Sequence, residues 1–258
     1  MKQVTAMAFL AIVLAAGFLV VWLVRRRTGA VPTGPYAVFM GGAYGLLLGL
    51  LLFQATGNYI AARNATVTEA ATLRSIHAAT VGLPSTSRDR IETDVVCLAR
   101  LIDGAEWALM RQGDLTGSAA TRAGFERLGA DIAAIPVDEP QQAPHYGAIF
   151  TRYLMLNEQH AQTLSLGDSQ VPASIWVVVF ALAFIIVILI GLQQELRGRR
   201  VAVGISALLV VTLALIVYFL SGLDRPFEGW YSVSPPTTLQ QLGSLSTATS
   251  GAPIDCPR

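Results

Sequence analysis

The chain is 258 residues long, with 53% hydrophobic and 14% charged residues and a positive mean hydropathy. That is too apolar for an ordinary soluble protein of this length and indicates an integral membrane protein. The 18 basic and 17 acidic residues nearly cancel to +1, so no global field draws the chain to nucleic acid or to an acidic partner. The only lysine is Lys2; with every other basic residue an arginine and many alanines, the composition suggests a GC-rich bacterial genome.

The first apolar run, Val4 to Val24, ends at Arg25-Arg26-Arg27. A cleaved signal would have a shorter apolar core, a basic start and a small-residue cleavage site, so this run is expected to be a retained span. Residues 28–35, with Gly29, Pro32, Gly34 and Pro35, form a short connection to a second run at 36–55. This second run is uncharged and roughly 20 residues long, which matches a bilayer core. Gly41, Gly45 and Gly49 recur along it every four residues and put three side-chain-free patches on one stripe, where another backbone can approach closely.

Two further uncharged runs lie at Ser174–Leu192 and Val201–Leu220. The expected architecture is all-α: four transmembrane helices as two hairpins (1–55 and 172–221), an inserted helical bundle at 56–171, and a corner plus flexible tail at 222–258. Arg25, Arg26 and Arg27 sit in one tight loop and Arg197, Arg199 and Arg200 in the other, against Arg63 and Arg225 on the opposite side. The positive-inside rule then makes the tight loops cytoplasmic and places the insert and both termini outside the plasma membrane. Trp22, Tyr36, Trp176, Tyr218, Trp230 and Tyr231 fall near span ends, at depths suited to interface anchors.

The insert has helical rather than strand periodicity. The second span is expected to continue as a polar helix from Asn58 to Val81, ended by Gly82-Leu-Pro84. A helix capped by a Thr86/Asp89 box follows, with Ile91, Val95, Leu98, Ala105 and Leu109 at helical spacing up to Arg111. Further helices are expected at Ser118–Ile135, stopped by Pro136, Pro140 and Pro144, and at Tyr146–Leu166. The tail beyond 235, rich in Ser, Thr, Gly and Pro, reads as poorly ordered.

Several stretches together resemble one family: the run from Thr68 to Pro84, the pair Glu106-Trp107, Val171-Pro-Ala-Ser-Ile-Trp176, Leu223-Asp-Arg-Pro-Phe-Glu-Gly229, and Val233-Ser-Pro235. The chain is similar to the DUF4239 family of bacterial membrane proteins, also called the bestrophin-like domain, over nearly its whole length to about Leu239. Where that family often has an Asn-Asp pair before the second span, this chain has Thr33-Gly-Pro35. The resemblance implies kinship with pentameric anion channels whose second span lines an apolar pore and whose helical domain lies in the cytoplasm. The arginine distribution predicts the opposite side for that domain, and orientation is taken here from the arginines.

Chemistry-bearing constellations are few. Cys97 and Cys256 would share an oxidising compartment in this orientation and could pair there; otherwise Cys97 is a small core residue and Cys256 a tail residue. His77, His145 and His160 fall on separate helices without ligand-spaced partners, so no metal and no cofactor is expected. Glu106 beside Trp107 lacks a second catalytic group and is read as facing solvent or an arginine such as Arg63, Arg74 or Arg100. Asp224, Arg225, Pro226 and Phe227 form a corner at a span exit, read as a salt-bridged element that docks the tail on the insert.

No span has an ionisable residue in its interior, which argues against ion-coupled transport, and the cytoplasmic loops are too short for a nucleotide site. No enzyme is expected. One reading is a homo-oligomeric pore with anions as its expected cargo, with Leu46, Leu47, Leu50, Leu51 or Phe53 as the apolar constriction and Leu46, Leu50 and Phe53 as the preferred lining. A second is a non-catalytic accessory or scaffold subunit docking by the same glycine face on other membrane proteins of the envelope. A third, an exoplasmic sensor, has no cytoplasmic output region to serve it.

Overall fold

The structure is a computed structural model that describes residues 3–28, 33–136, 143–168, 171–193, 199–229, 231–251 and 253–256. The helices in chain order are α1 (Gln3–Thr28), α2 (Gly34–Ala79), α3 (Ser85–Leu101), α4 (Trp107–Gln112), α5 (Ala119–Ala133), α6 (Ala143–Asp168), α7 (Ala173–Gln193), α8 (Arg199–Leu223) and α9 (Thr237–Gly243). A 3₁₀ turn, Thr80–Gly82, ends α2, and a π-helical turn, Ile102–Glu106, joins α3 to α4. Among the described residues there is no strand, only an isolated bridge between Thr247 and Pro253.

Among the described residues, the stretch Gly34–Gly82 and the one that contains α7 are long and apolar enough to cross a membrane, and two shorter apolar helices are Ala8–Val24 and Ala207–Leu223. The chain divides into two units: residues 1–58 with 170–225, and residues 59–169 with 226–258. The tail expected to be separate thus belongs to the same unit as the insert.

In the first unit α1 packs on α7 and α8. Phe9 meets Phe180 with ring centroids 5.0 Å apart, Gly17 lies against Val187, and Gly191 against Val21. Both residue series rise together, so α1 and α7 run parallel. Gly17 and Gly191 let the two backbones approach, because a Cβ at either would press on a valine of the opposite helix. Thr33 Oγ1 donates to Leu189 O over 2.7 Å and ties the start of α2 to the end of α7. The Arg26 guanidinium sits 4.0 Å over the Trp22 ring. Arg197, Trp230, Pro140 and the connection containing Gly29 and Pro32, all invoked above, lie outside the described residues.

The second unit has a core that α2, α3, α5, α6 and α9 build from Leu73, Ile76, Ile91, Leu98, Leu128, Ile132, Ile149, Leu156 and Leu239. Each such side chain contributes about 1.5–3 kcal/mol on burial. The amphipathic helix expected over Ser85–Arg111 is interrupted at Ile102–Glu106, where the ladder takes in an extra residue. The Thr86/Asp89 capping box is not used: Pro84 occupies the N-cap, and Arg88 Nη2 donates to Val81 O and Leu83 O at 2.9 Å each.

The tail is not loose. α9 packs on α3, Thr249 N–H and hydroxyl donate to the buried Glu92 carboxylate at 2.6 and 2.8 Å, and Arg100 donates to Gly243 O and Leu245 O. Cys256 is disulfide-bonded to Cys97, Cα to Cα 5.4 Å, beside Val96 and Ile254. Composition suggested disorder, whereas long-range partners on α3 supply the order that the local sequence lacks.

Candidate functional site: the uncovered face of the second helix

α2 buries one stripe in the first unit, Ala37, Tyr44, Leu48, Leu51 and Ala55, at spacings of seven, four, three and four residues. Such spacing keeps one narrow face turned to the rest of the unit. At about 100° per residue, Leu46, Leu50 and Phe53 project from the opposite side. Their exposures of 68%, 61% and 79% agree with that placement. Gly41, Gly45 and Gly49 run between the two faces, and a Cβ built on any of the three would meet nothing within 4 Å. Leu51, considered above as a lining residue, belongs to the buried stripe and is removed from that set.

Beside the glycine column lies an apolar groove of about 350 Å³ formed by Leu48, Gly49 and Leu52 with Leu215, Ile216, Phe219 and Leu220 of α8. Its lining offers no charged group, so it can take hydrocarbon or apolar side chains but can coordinate no ion.

The corner residues separate by role. Asp224 is buried in the first unit, and its Oδ1 accepts from Val171 N–H at 2.6 Å. Burial pushes its carboxyl above the ordinary range, opposed by that hydrogen bond and by the Arg225 charge. In the second unit Pro226 O accepts from Val233 N–H at 2.7 Å, and Gly229 takes the left-handed conformation that closes the loop. Phe227 is buried edge-on to Trp107, centroids 5.7 Å apart, within a cluster with Ala62, Met110 and Val233. Gly167 makes room for it, since a Cβ there would press on Phe227 and Leu115.

A polar cluster that the sequence reading missed lies inside the second unit. Glu69 of α2 and Glu106 of the π turn are 4% and 1% exposed. His160 of α6 places Nδ1 2.8 Å from Glu69 Oε1 and Nε2 3.9 Å from Glu106 Oε1. Thr163 Oγ1 donates to Glu69 Oε2 at 2.9 Å, and Ser118 N–H donates to Glu106 Oε2 at 2.7 Å. Burial disfavours the His160 imidazolium, but the Glu69 hydrogen bond and the charges of Glu69 and Glu106 outweigh it and hold the imidazole above its ordinary value. Glu106 thus faces neither solvent nor an arginine as expected above. The overlooked signal was phase: Glu69 continues the buried series Ala62, Thr66, Leu73 and Ile76. His160 is a satisfied interior residue; His145 is on the same helix α6, not on a separate one as expected, and lies against Gly82. No group of three His, Cys, Asp or Glu side chains among the described residues is placed to hold a metal ion.

The long apolar helices and the open apolar face of α2 are those of an all-helical membrane protein. A family model described as the bestrophin-like domain matches residues 7–238, and the chain belongs to the bestrophin-like family. Membership places it in a membrane. No curated protein matches it. Among solved structures, a point mutant of a bacterial bestrophin homologue from Klebsiella pneumoniae superposes with a TM-score of 0.69 at 12% identity, covering 94% of this chain and 98% of that one. A second mutant of the same homologue gives 0.67 at 14% identity, covering 94% and 97%. At these identities the likeness is one of fold.

Proposed function

We propose that the chain is a homo-oligomeric membrane channel that conducts anions through an apolar pore lined by Leu46, Leu50 and Phe53 of α2. The observation that carries this reading is the bare apolar face of α2, uncovered within its own unit, in a chain that belongs to the bestrophin-like family. Gly41, Gly45 and Gly49 form the seam at which neighbouring subunits approach, and closing a ring of subunits turns the Leu46–Phe53 face inward. A ring of large apolar side chains passes ions only when wetted, so this constriction is also the gate.

α1, α2, α7 and α8 form two hairpins across the bacterial plasma membrane, with the parallel course of α1 and α7 agreeing with that plan. Short-loop arginines set the insert and both termini on the exoplasmic side. A Cys97–Cys256 disulfide fits the same side, because disulfides persist where the compartment is oxidising.

The test is single-channel recording of purified protein in planar bilayers with Phe53→Ala and Gly45→Leu. Phe53→Ala keeps the oligomer and raises open probability or conductance several-fold, whereas Gly45→Leu dissociates it. An assembled Phe53→Ala protein whose conductance equals the parent's would remove α2 as the lining. The glycine face would then serve docking on another membrane protein, as an accessory subunit requires.

A further inference from the structure

Beyond any pore, the second unit offers a cationic groove. Past the apolar half of α2, Tyr59, Arg63, Thr66 and Val67 line a cavity of about 400 Å³ with Ser232, Ser234, Thr237 and Thr238. Further along the same helix, Arg74, His77 and Ala78 line a second of about 370 Å³ with Thr238 and Gln241. Thr238 borders both, so the two pockets are neighbours along α2. Leu239 and Leu242 of α9 and the buried Ala70 of α2 belong to one hydrophobic core cluster.

On α2 the residues at 63, 67, 70, 74 and 77 are spaced by four, three, four and three, which puts the cations and Ala70 on one helix face. No carboxylate lines either pocket. Among the described residues neither Arg63 nor Arg74 forms a salt bridge. The nearby Glu92, whose carboxyl feels the His77 charge, is turned to Thr80 and Thr249, and its oxygens accept from those hydroxyls at 2.8 Å.

We propose that this groove binds a phosphate-bearing solute, with Arg63 and Arg74 as its charge partners and the hydroxyls around Thr238 as neutral donors. A guanidinium presents paired N–H donors matched to an oxyanion, whereas a bare halide uses only its charge. A surface arginine is ordinarily screened and solvated. Two on one face, each opening into a cavity with hydroxyl donors and no acid, form an arrangement suited to an oxyanion that competes with water. Eleven residues, roughly 16 Å of helix, separate Arg63 from Arg74 at the backbone, and both side chains are long, so a tripolyphosphate lying between the pockets meets both guanidiniums when they lean toward each other, whereas orthophosphate meets one.

The experiment is equilibrium binding of inorganic tripolyphosphate to the full chain in neutral detergent, by calorimetry, with orthophosphate and chloride compared at equal ionic strength. The readout does not depend on conduction, so the pore reading and this one can fail separately. Tripolyphosphate is expected to bind at least tenfold more tightly than orthophosphate, and chloride not to compete. Arg63→Gln and Arg74→Gln each weaken binding at least fivefold, and the double variant abolishes it. Both side chains are exposed, so these variants fold. Absence of tripolyphosphate binding, equal competition by chloride, or unchanged affinity in the double variant would overturn the proposal.

Discussion

Asp94 of α3 is buried facing Asp131 of α5. Burial first, then the hydrogen bond and negative charge of Asp131, push the Asp94 carboxyl up to about 7, while Arg127 pulls it down. The folded protein therefore holds a proton there that the unfolded chain releases near pH 4. This group's stabilisation is fully present below about pH 4 and is lost as pH rises through 7. Asp94→Asn, which keeps the shape and removes the ionisation, should leave stability at pH 4 nearly unchanged. At pH 8 it should raise stability by on the order of 2 kcal/mol, a few degrees in Tm. Thermal melts of both proteins across pH 4–8 check this; a gap that does not widen with pH would mean the two carboxyls do not share a proton. The sequence does not display such pairs. Asp94 and Asp131 are 37 positions apart (131 − 94), and Glu69 and His160 are 91 apart, so each meeting depends on tertiary packing. Glu69 is the partial exception, since its helical phase already put it among buried residues.

The elements themselves were largely legible. Long uncharged runs between arginines and Pro/Gly connections gave α1, α2, α7 and α8 to within a few residues, because apolar length and breakers act locally. The π turn at Ile102–Glu106 was not legible, since its reason is the placement of Glu106 beside Ser118 and His160. Nor was the ordered tail, whose Ser, Thr, Gly and Pro residues form little structure of their own. Its order rests on Arg100, Glu92 and Cys97, all on α3. Closing a loop with a sequence separation of 159 residues, the disulfide is expected to contribute about 2–4 kcal/mol. Cys256→Ser should accordingly lower Tm by roughly 4–16 °C and open residues 244–256 to limited proteolysis. An unchanged digestion pattern and Tm would mean that the hydrogen bonds of Arg100 and Glu92 hold the tail without the bridge.

At the scale of the molecule, the candidate site was legible where it depends on helix periodicity and illegible where it depends on a second chain. The glycine column and the Leu46, Leu50 and Phe53 face are properties of one helix, and their openness in the single chain is what a ring of subunits would fill. The proposed orientation has the same character, because it rests on arginines in two short loops and not on packing. Assembly is the common requirement of the pore, the seam and the gate. Native mass spectrometry of the purified chain in lipid nanodiscs measures it directly. The channel reading predicts one homo-oligomer of roughly four to six copies, enough to enclose a central path. A monomer, or a fixed-ratio complex with a different protein, would contradict it.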